Sequence, residues 1–114
     1  MLARPHRFHG YNSLRAVYRR GQTVRGPMLS LKYSQRGPAK PFRAGIVVSR
    51  KVSKSAVVRN RIRRRLYEQV RQQLGQPKVS YDLVITAYDE QLASLPAAKL
   101  QETIQDLLQK AGLV

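Results

Sequence analysis

The sequence predicts an α+β fold of two layers, in which helices pack on a single mixed sheet. Apolar residues recur at helical spacing in three segments and follow a strand pattern in three or four others. The order is helix, two or three strands, helix, strand, helix, and one covered sheet is the simplest burial of these apolar faces. With 114 residues, 42% of them hydrophobic, the chain is long enough for one domain with its own core. We therefore expect a single domain over residues 1–114, with residues 1–10 as a flexible basic tail.

The first predicted element is a short helix over about residues 12–20. Asn12 or Ser13 can cap its start, and Gly21 stops it. Its apolar face consists of Leu14, Val17 and Tyr18.

Strands follow this helix. Residues 28–34 alternate apolar and polar side chains, which predicts a strand, and Gln22–Arg25 form a possible short strand before it. The turn-rich residues 35–41 end the pairing. Residues 43–50 contain a β-branched run that predicts a buried strand.

A long helix is predicted over about residues 55–74, because its apolar side chains recur every four residues. Gly75 and Pro77 end it. The apolar stripe consists of Val58, Ile62, Leu66, Val70 and Leu74.

The rest of the chain supplies one more strand and one more helix. Residues 79–87 form a strand with few polar interruptions, and residues 89–93 form one helical turn that starts with two acids. The last helix begins near Pro96, with Ser94 or Leu95 in its cap region, and Gly112 follows its end.

Charge is distributed very unevenly along the chain. Residues 1–67 contain 18 basic residues and no acid, whereas residues 68–114 contain 4 basic residues and all 6 acids, for a total of +16. Arg outnumbers Lys 15 to 7. Because the Arg fork binds phosphate through paired hydrogen bonds and stacks on bases, this composition favours a nucleic-acid partner over a membrane surface.

Several classes of protein are disfavoured by what the sequence lacks. It has no Cys, which excludes disulfides, a thiol nucleophile and Cys-ligated metal sites. No run of 18 apolar residues is present, and the first ten residues do not resemble a secretory signal, so we expect a cytoplasmic protein without a membrane partner. His6 and His9 have no neighbouring carboxylate, so we expect no metal on the protein.

The highest density of charge lies in residues 50–65, which contain eight basic residues. On the predicted helix, at about 100° per residue, four polar side chains point away from the apolar stripe, and three arginines flank it. A solvated charged face is the simpler explanation, but such faces usually mix signs, and Glu68 is the only acid here. The outward set is Asn60, Arg61, Arg64 and Arg71. The flanking set, which we expect to reach phosphates, is Arg59, Arg63 and Arg65.

These motifs resemble the bacterial ribonuclease P protein family. Residues 45–52 followed by 56–66 are similar to its signature, and Arg59-Asn60-Arg61 corresponds to its hallmark triplet. Residues 14–21, 25–29 and 81–85 resemble the first helix, the entry to the first long strand and the strand after the basic helix.

The resemblance implies a fold and a division of labour. It implies a left-handed βαβ crossover, against the usual hand. It implies that the RNA subunit, with its bound magnesium, removes the 5′ leader of precursor tRNA. The protein would bind that RNA and hold the leader in a cleft between the first helix and the sheet, with no catalytic side chain and no required protein partner.

By position, the resemblance assigns two sets of residues. The leader-binding set is Leu14, Tyr18 and Lys32. The RNA-binding set is Arg59, Asn60, Arg61, Arg63 and Arg64, to which we add Arg50 and Lys51 from the basic segment.

The sequence departs from the family pattern at three positions. Leu14 stands where many relatives have Phe, and Lys32 stands where some have an aromatic residue. Tyr33 cannot replace position 32, because neighbouring strand residues point to opposite faces. Tyr67 stands where some relatives have a basic residue.

Two other functions remain open at this stage. A structural RNA-binding protein, such as a ribosomal component, would share the charge pattern. A protein-only nuclease is disfavoured, because a nuclease needs carboxylates or a catalytic His together, and the basic half has no carboxylate. A DNA-binding module would need a recognition helix and usually a dimer, and Arg-Asn-Arg at a helix start does not exclude it.

Overall fold

The structure is a computed structural model that describes residues 8, 11–35, 42–74 and 81–113. Within these residues it confirms the predicted α+β class, with one mixed four-stranded sheet in the order β1-β2-β4-β3. The predicted tail 1–10, except Phe8, lies outside the described residues, as do Gly75 and Pro77. The elements are α1 (Tyr11–Arg20), β1 (Gln22–Arg25), β2 (Leu29–Gln35), β3 (Arg43–Val48), α2 (Ala56–Gln73), β4 (Tyr81–Ala87), a 3₁₀ turn (Glu90–Ala93) and α3 (Ala97–Lys110).

The sheet contains the parallel crossover that the resemblance implies. β3 and β4 are parallel neighbours joined through α2, whereas β2 pairs with both β1 and β4 in antiparallel fashion. The left-handed sense of this crossover is still an expectation from the family resemblance. β4 lies between two strands, and its run Leu83–Ile85 is buried on both faces of the sheet.

The main core lies between one face of the sheet and the helices α2 and α3. It contains alternate residues of three strands, such as Leu31, Ile46 and Ile85, packed with the predicted α2 stripe and with α3. Ile62, Leu66 and Val70 are fully buried. The apolar spacing of α2 therefore predicted its buried face correctly.

The helix ends show which local signals act in the structure. The Ser55 side chain caps α2 by accepting a hydrogen bond from Val58 N, and Asp89 caps the 3₁₀ turn through Gln91 N. The predicted cap region of α3 was wrong: Pro96 is the cap and makes no side-chain bond, while Ser94 closes the 3₁₀ turn on Gln91 O. α1 begins at Tyr11, so Asn12 and Ser13 lie inside it.

The strand predicted over residues 43–50 ends at Val48. Its last partner on β4 is Ala87, and the chain then turns back, with Val52 N donating to Ser49 O at 3.1 Å. Arg50 and Lys51 therefore lie in the turn that leads into α2.

The opposite face of the sheet is crossed by α1. A row of paired residues, Lys32, Val84 and Gly45, runs across β2, β4 and β3 on this face. Leu14 lies near Gly45, and Tyr18 lies beside Lys32. Gly21 ends α1 against β2, where a Cβ would come within 2.4 Å of Val17 O. The helix therefore covers this row and leaves Tyr18 and Lys32 together at its C-terminal end.

Candidate RNA-binding surfaces

The turn between β3 and α2 is held by its own hydrogen bonds. Ser55 N donates to Ser53 Oγ at 3.2 Å, and Arg59 Nη1 donates to Ser53 O at 2.8 Å. Ser53 is buried, and the first turn of α2 contains no acid. These bonds fix the backbone on which the basic side chains of the turn are mounted.

Four cations surround a cavity of about 600 Å³ at the start of α2, and none of its lining residues is acidic. The partial positive charge of the helix N-terminus adds to theirs, which favours a phosphate group at this place. Lys54 belongs to this set although it was absent from the predicted RNA-binding residues; its signal was its place between Lys51 and Arg59 in the basic segment. The lining residues are Arg50, Lys51, Lys54 and Arg59.

The predicted RNA-binding residues of α2 divide into tethered and untethered side chains. Arg63 donates to Asn60 Oδ1 at 2.7 Å and to Val48 O at 3.2 Å, and Arg59 is tethered to Ser53. The Arg61 and Arg64 side chains are exposed, and they make no hydrogen bond or ion pair among the described residues. These two arginines are therefore the ones that a phosphate can bind without breaking an internal contact.

Arg65 was expected to reach phosphates, and in the structure its guanidinium is tethered to backbone carbonyls. Its guanidinium donates to Leu92 O at 2.6 Å and also to Leu95 O. The arginine ties α2 to the segment after β4, because backbone carbonyls left unpaired around the 3₁₀ turn need donors.

Arg71 is exposed as predicted, but it forms an ion pair with Glu68 one turn earlier. The hydrogen bond between the two groups lowers the pKa of the Glu68 carboxyl and raises the pKa of Arg71. The one acid of this helix thus partly neutralises its C-terminal end, and the cationic surface is concentrated at the start of α2.

The predicted leader-binding residues meet on the α1 face of the sheet. The Lys32 ammonium lies 5.7 Å from the centre of the Tyr18 ring, and Tyr18 is 44% exposed. Leu14 is half-buried, nearer β3. Tyr33 packs against the opposite, core side of the sheet, with its ring edge towards Tyr81. The structure therefore brings Tyr18 and Lys32 together and places Tyr33 away from them.

Sequence reasoning missed Tyr88 on this face. It is 59% exposed, and its hydroxyl shares a hydrogen bond of 2.9 Å with Ser30 Oγ. Strand alternation was the available signal, since Asp82, Val84 and Thr86 point to the same face of β4.

No group of three His, Asp or Glu side chains that could hold a metal ion occurs among the described residues. His6 and His9 lie outside them. The helices within the described ranges include none that is long and apolar enough to cross a membrane.

Comparison with known proteins gives concordant results. Residues 2–112 match the family model Ribonuclease P. The ribonuclease P protein component of a Synechococcus species is 38% identical over 118 residues, covering 100% of this chain and 87% of the relative. That of Chloroflexus aurantiacus is 36% identical over 115 residues, covering 99% and 82%.

Solved structures agree on the fold. The RNase P protein of Staphylococcus aureus superposes with a TM-score of 0.80 at 21% identity, covering 95% of this chain and 96% of that one. The protein of Thermotoga maritima superposes with a TM-score of 0.71 at 20% identity, covering 85% and 89%. Since the family match spans nearly all of the sequence, the chain belongs to the ribonuclease P protein family.

Proposed function

We propose that this subunit of ribonuclease P binds the catalytic RNA through the start of α2 and binds the 5′ leader of precursor tRNA between α1 and the sheet. The cavity lined by four cations and no acid carries the first half of the proposal. The exposed Tyr18 ring beside the Lys32 ammonium, on the other face of the sheet, supports the second half. Two separate surfaces allow one protein to contact both RNAs at once.

The proposed work of the protein is binding and positioning. Arg61 and Arg64 contact phosphates of the RNA subunit, and Arg50, Lys51, Lys54 and Arg59 bind phosphate at the helix start. Arg63 holds the Asn60 side chain in place by donating a hydrogen bond to Asn60 Oδ1. Magnesium held by the RNA would supply the chemistry of hydrolysis. On this chain the residues neutralise charge and orient the leader.

We expect RNA binding to depend steeply on salt. About six to eight cations should neutralise phosphates, so the logarithm of the association constant should fall with the logarithm of salt concentration with a slope of about −5 to −7. Filter binding or fluorescence anisotropy with the ribonuclease P RNA measures it. A nearly flat dependence would contradict phosphate binding as the main source of affinity.

The leader cleft is tested at Tyr18. We expect Tyr18→Ala to weaken precursor tRNA binding to the reconstituted holoenzyme by about 1–3 kcal/mol, because an aromatic ring stacks on bases without sequence preference. The lower end applies because Leu14 offers no second ring. Mature tRNA, which lacks the leader, should bind as before.

Tyr18→Phe is the matched control and should retain most of the affinity, since it keeps the ring. If Tyr18→Ala weakened precursor and mature tRNA equally, or neither of them, the leader would bind elsewhere.

A further inference from the structure

A groove along the outer edge of β3 differs in chemistry from the cationic cavity. Its volume is about 610 Å³, and it combines apolar, aromatic, amide and guanidinium groups. We call it the β3-edge groove. Its lining residues are Ile46, Val57, Asn60, Arg63, Arg64 and Tyr67.

The helical wall of the groove is a single stripe. Val57, Asn60, Arg64 and Tyr67 follow each other at spacings of three and four residues, so they lie on one face of α2. Val57 is 75% exposed in the first turn of α2. Apolar surface thus lies open between groups that attract phosphate.

Two polar groups on the sheet wall of the groove are already bonded to α2. Ile46 N donates to the Tyr67 hydroxyl at 3.3 Å, and Arg63 donates to Val48 O at 3.2 Å. The first bond also fixes the Tyr67 ring beside the strand. A preformed ring and an open apolar side chain remain as contact surface.

The polar groups of the groove match the edge and backbone of a nucleotide. Asn60 Oδ1 accepts from Arg63, so the Asn60 amide nitrogen is left to donate. Arg64 is exposed at the rim and makes no hydrogen bond or ion pair within the described part of the chain. A ligand that fits has an apolar planar body, an acceptor atom on its edge and a phosphate next to it.

We propose that the β3-edge groove binds one unstacked nucleobase of the RNA subunit. The base lies against Val57 and the Tyr67 ring, accepts a hydrogen bond from the Asn60 amide, and places its phosphate near Arg64. Unpaired bases of this kind are the usual targets of sequence-selective RNA recognition. The inference rests on the proposed function and adds a base-reading site to its phosphate contacts.

Val57→Ser and Arg64→Gln separate base contact from phosphate contact. Val57 is exposed, so neither fold nor charge should change, and we expect affinity for the ribonuclease P RNA to fall about 5-fold from lost apolar contact. The salt slope should stay at the wild-type value. Arg64→Gln should instead reduce the steepness of the slope by about 1.

Chemical probing of the same RNA locates the base. With wild-type protein, one unpaired base should be protected from base-modifying reagents, and Val57→Ser should restore its reactivity while backbone protection from hydroxyl radicals persists.

The outcomes distinguish this inference from the function on which it rests. If wild-type protein binds the RNA with a steep salt dependence, and Val57→Ser matches it in affinity and in every base reactivity, the nucleobase site is refuted and the phosphate contacts stand. If the wild-type protein fails to bind the RNA, both proposals fall.

Discussion

Replacing Arg61 and Arg64 together by alanine should lower affinity for the ribonuclease P RNA by about 2–4 kcal/mol, or roughly two orders of magnitude. Both side chains are exposed and make no hydrogen bond or ion pair among the described residues. Their removal should therefore change the free energy of unfolding by less than about 1 kcal/mol. Equilibrium binding and urea denaturation of the same preparation measure the two effects.

A matched control comes from the other half of the chain. Lys99 and Lys110 are exposed on α3, and their double alanine variant loses the same charge. We expect it to weaken RNA binding far less. Equal losses in the two double variants would show that net charge alone drives binding, and no loss in the arginine variant would refute the α2 surface.

Asp82→Asn should lower the free energy of unfolding by about 3–5 kcal/mol, the usual cost of breaking a buried ion pair. Asp82 accepts two hydrogen bonds of 2.7 Å from Arg43 on the neighbouring strand. The two side chains are only 9% and 18% exposed. The variant leaves the guanidinium largely buried without its carboxylate. Chemical denaturation at pH 7 measures the loss.

The pH dependence of this pair follows from the arginine. The hydrogen bond from Arg43 to Asp82 raises the pKa of Arg43 above its ordinary value. A group whose pKa is raised by folding contributes its full stabilisation at pH values below its pKa in the unfolded chain. That stabilisation is lost only as pH rises through its pKa in the folded protein. The stabilisation that Arg43 contributes to the fold should therefore stay constant over about pH 6 to 9.

Asp106→Asn is the control for Asp82→Asn, because Asp106 is exposed on α3 and should change stability by less than about 0.5 kcal/mol. Below their melting temperatures, both variants should support an unchanged rate of cleavage of bound precursor, since the chemistry belongs to the RNA. A large loss of single-turnover rate in folded Asp106→Asn would contradict that assignment.

Element order and the buried helix faces could be predicted because they depend on local spacing. The stripe through Ile62 and Leu66 needed no tertiary information. The order of the strands within the sheet could not be predicted in this way. Alternation shows which side chains share a face of the sheet, but not which strands pair. Leu83–Ile85 is an unbroken apolar run that is buried on both faces of the sheet. Such a run is the sequence pattern typical of a central strand.

The candidate surfaces were predictable only in part. Helix geometry placed Arg61 and Arg64 outward, but it could not show that Leu92 and Leu95 present carbonyls to Arg65, because that contact forms between distant segments. Strand alternation across β2 and β4 could have identified Tyr88. The family match, and not the charge pattern, decides between a ribonuclease P subunit and a ribosomal RNA-binding protein.

The central claim is that this chain assists a catalytic RNA and does not itself cleave RNA. Reconstitution of precursor tRNA cleavage at low magnesium tests it most directly, with the ribonuclease P RNA alone, the protein alone and the two together. We expect leader removal by the mixture where the RNA alone is slow, and none by the protein alone. Site-specific cleavage by RNA-free protein, or no gain when the protein is added to the RNA, would contradict the claim.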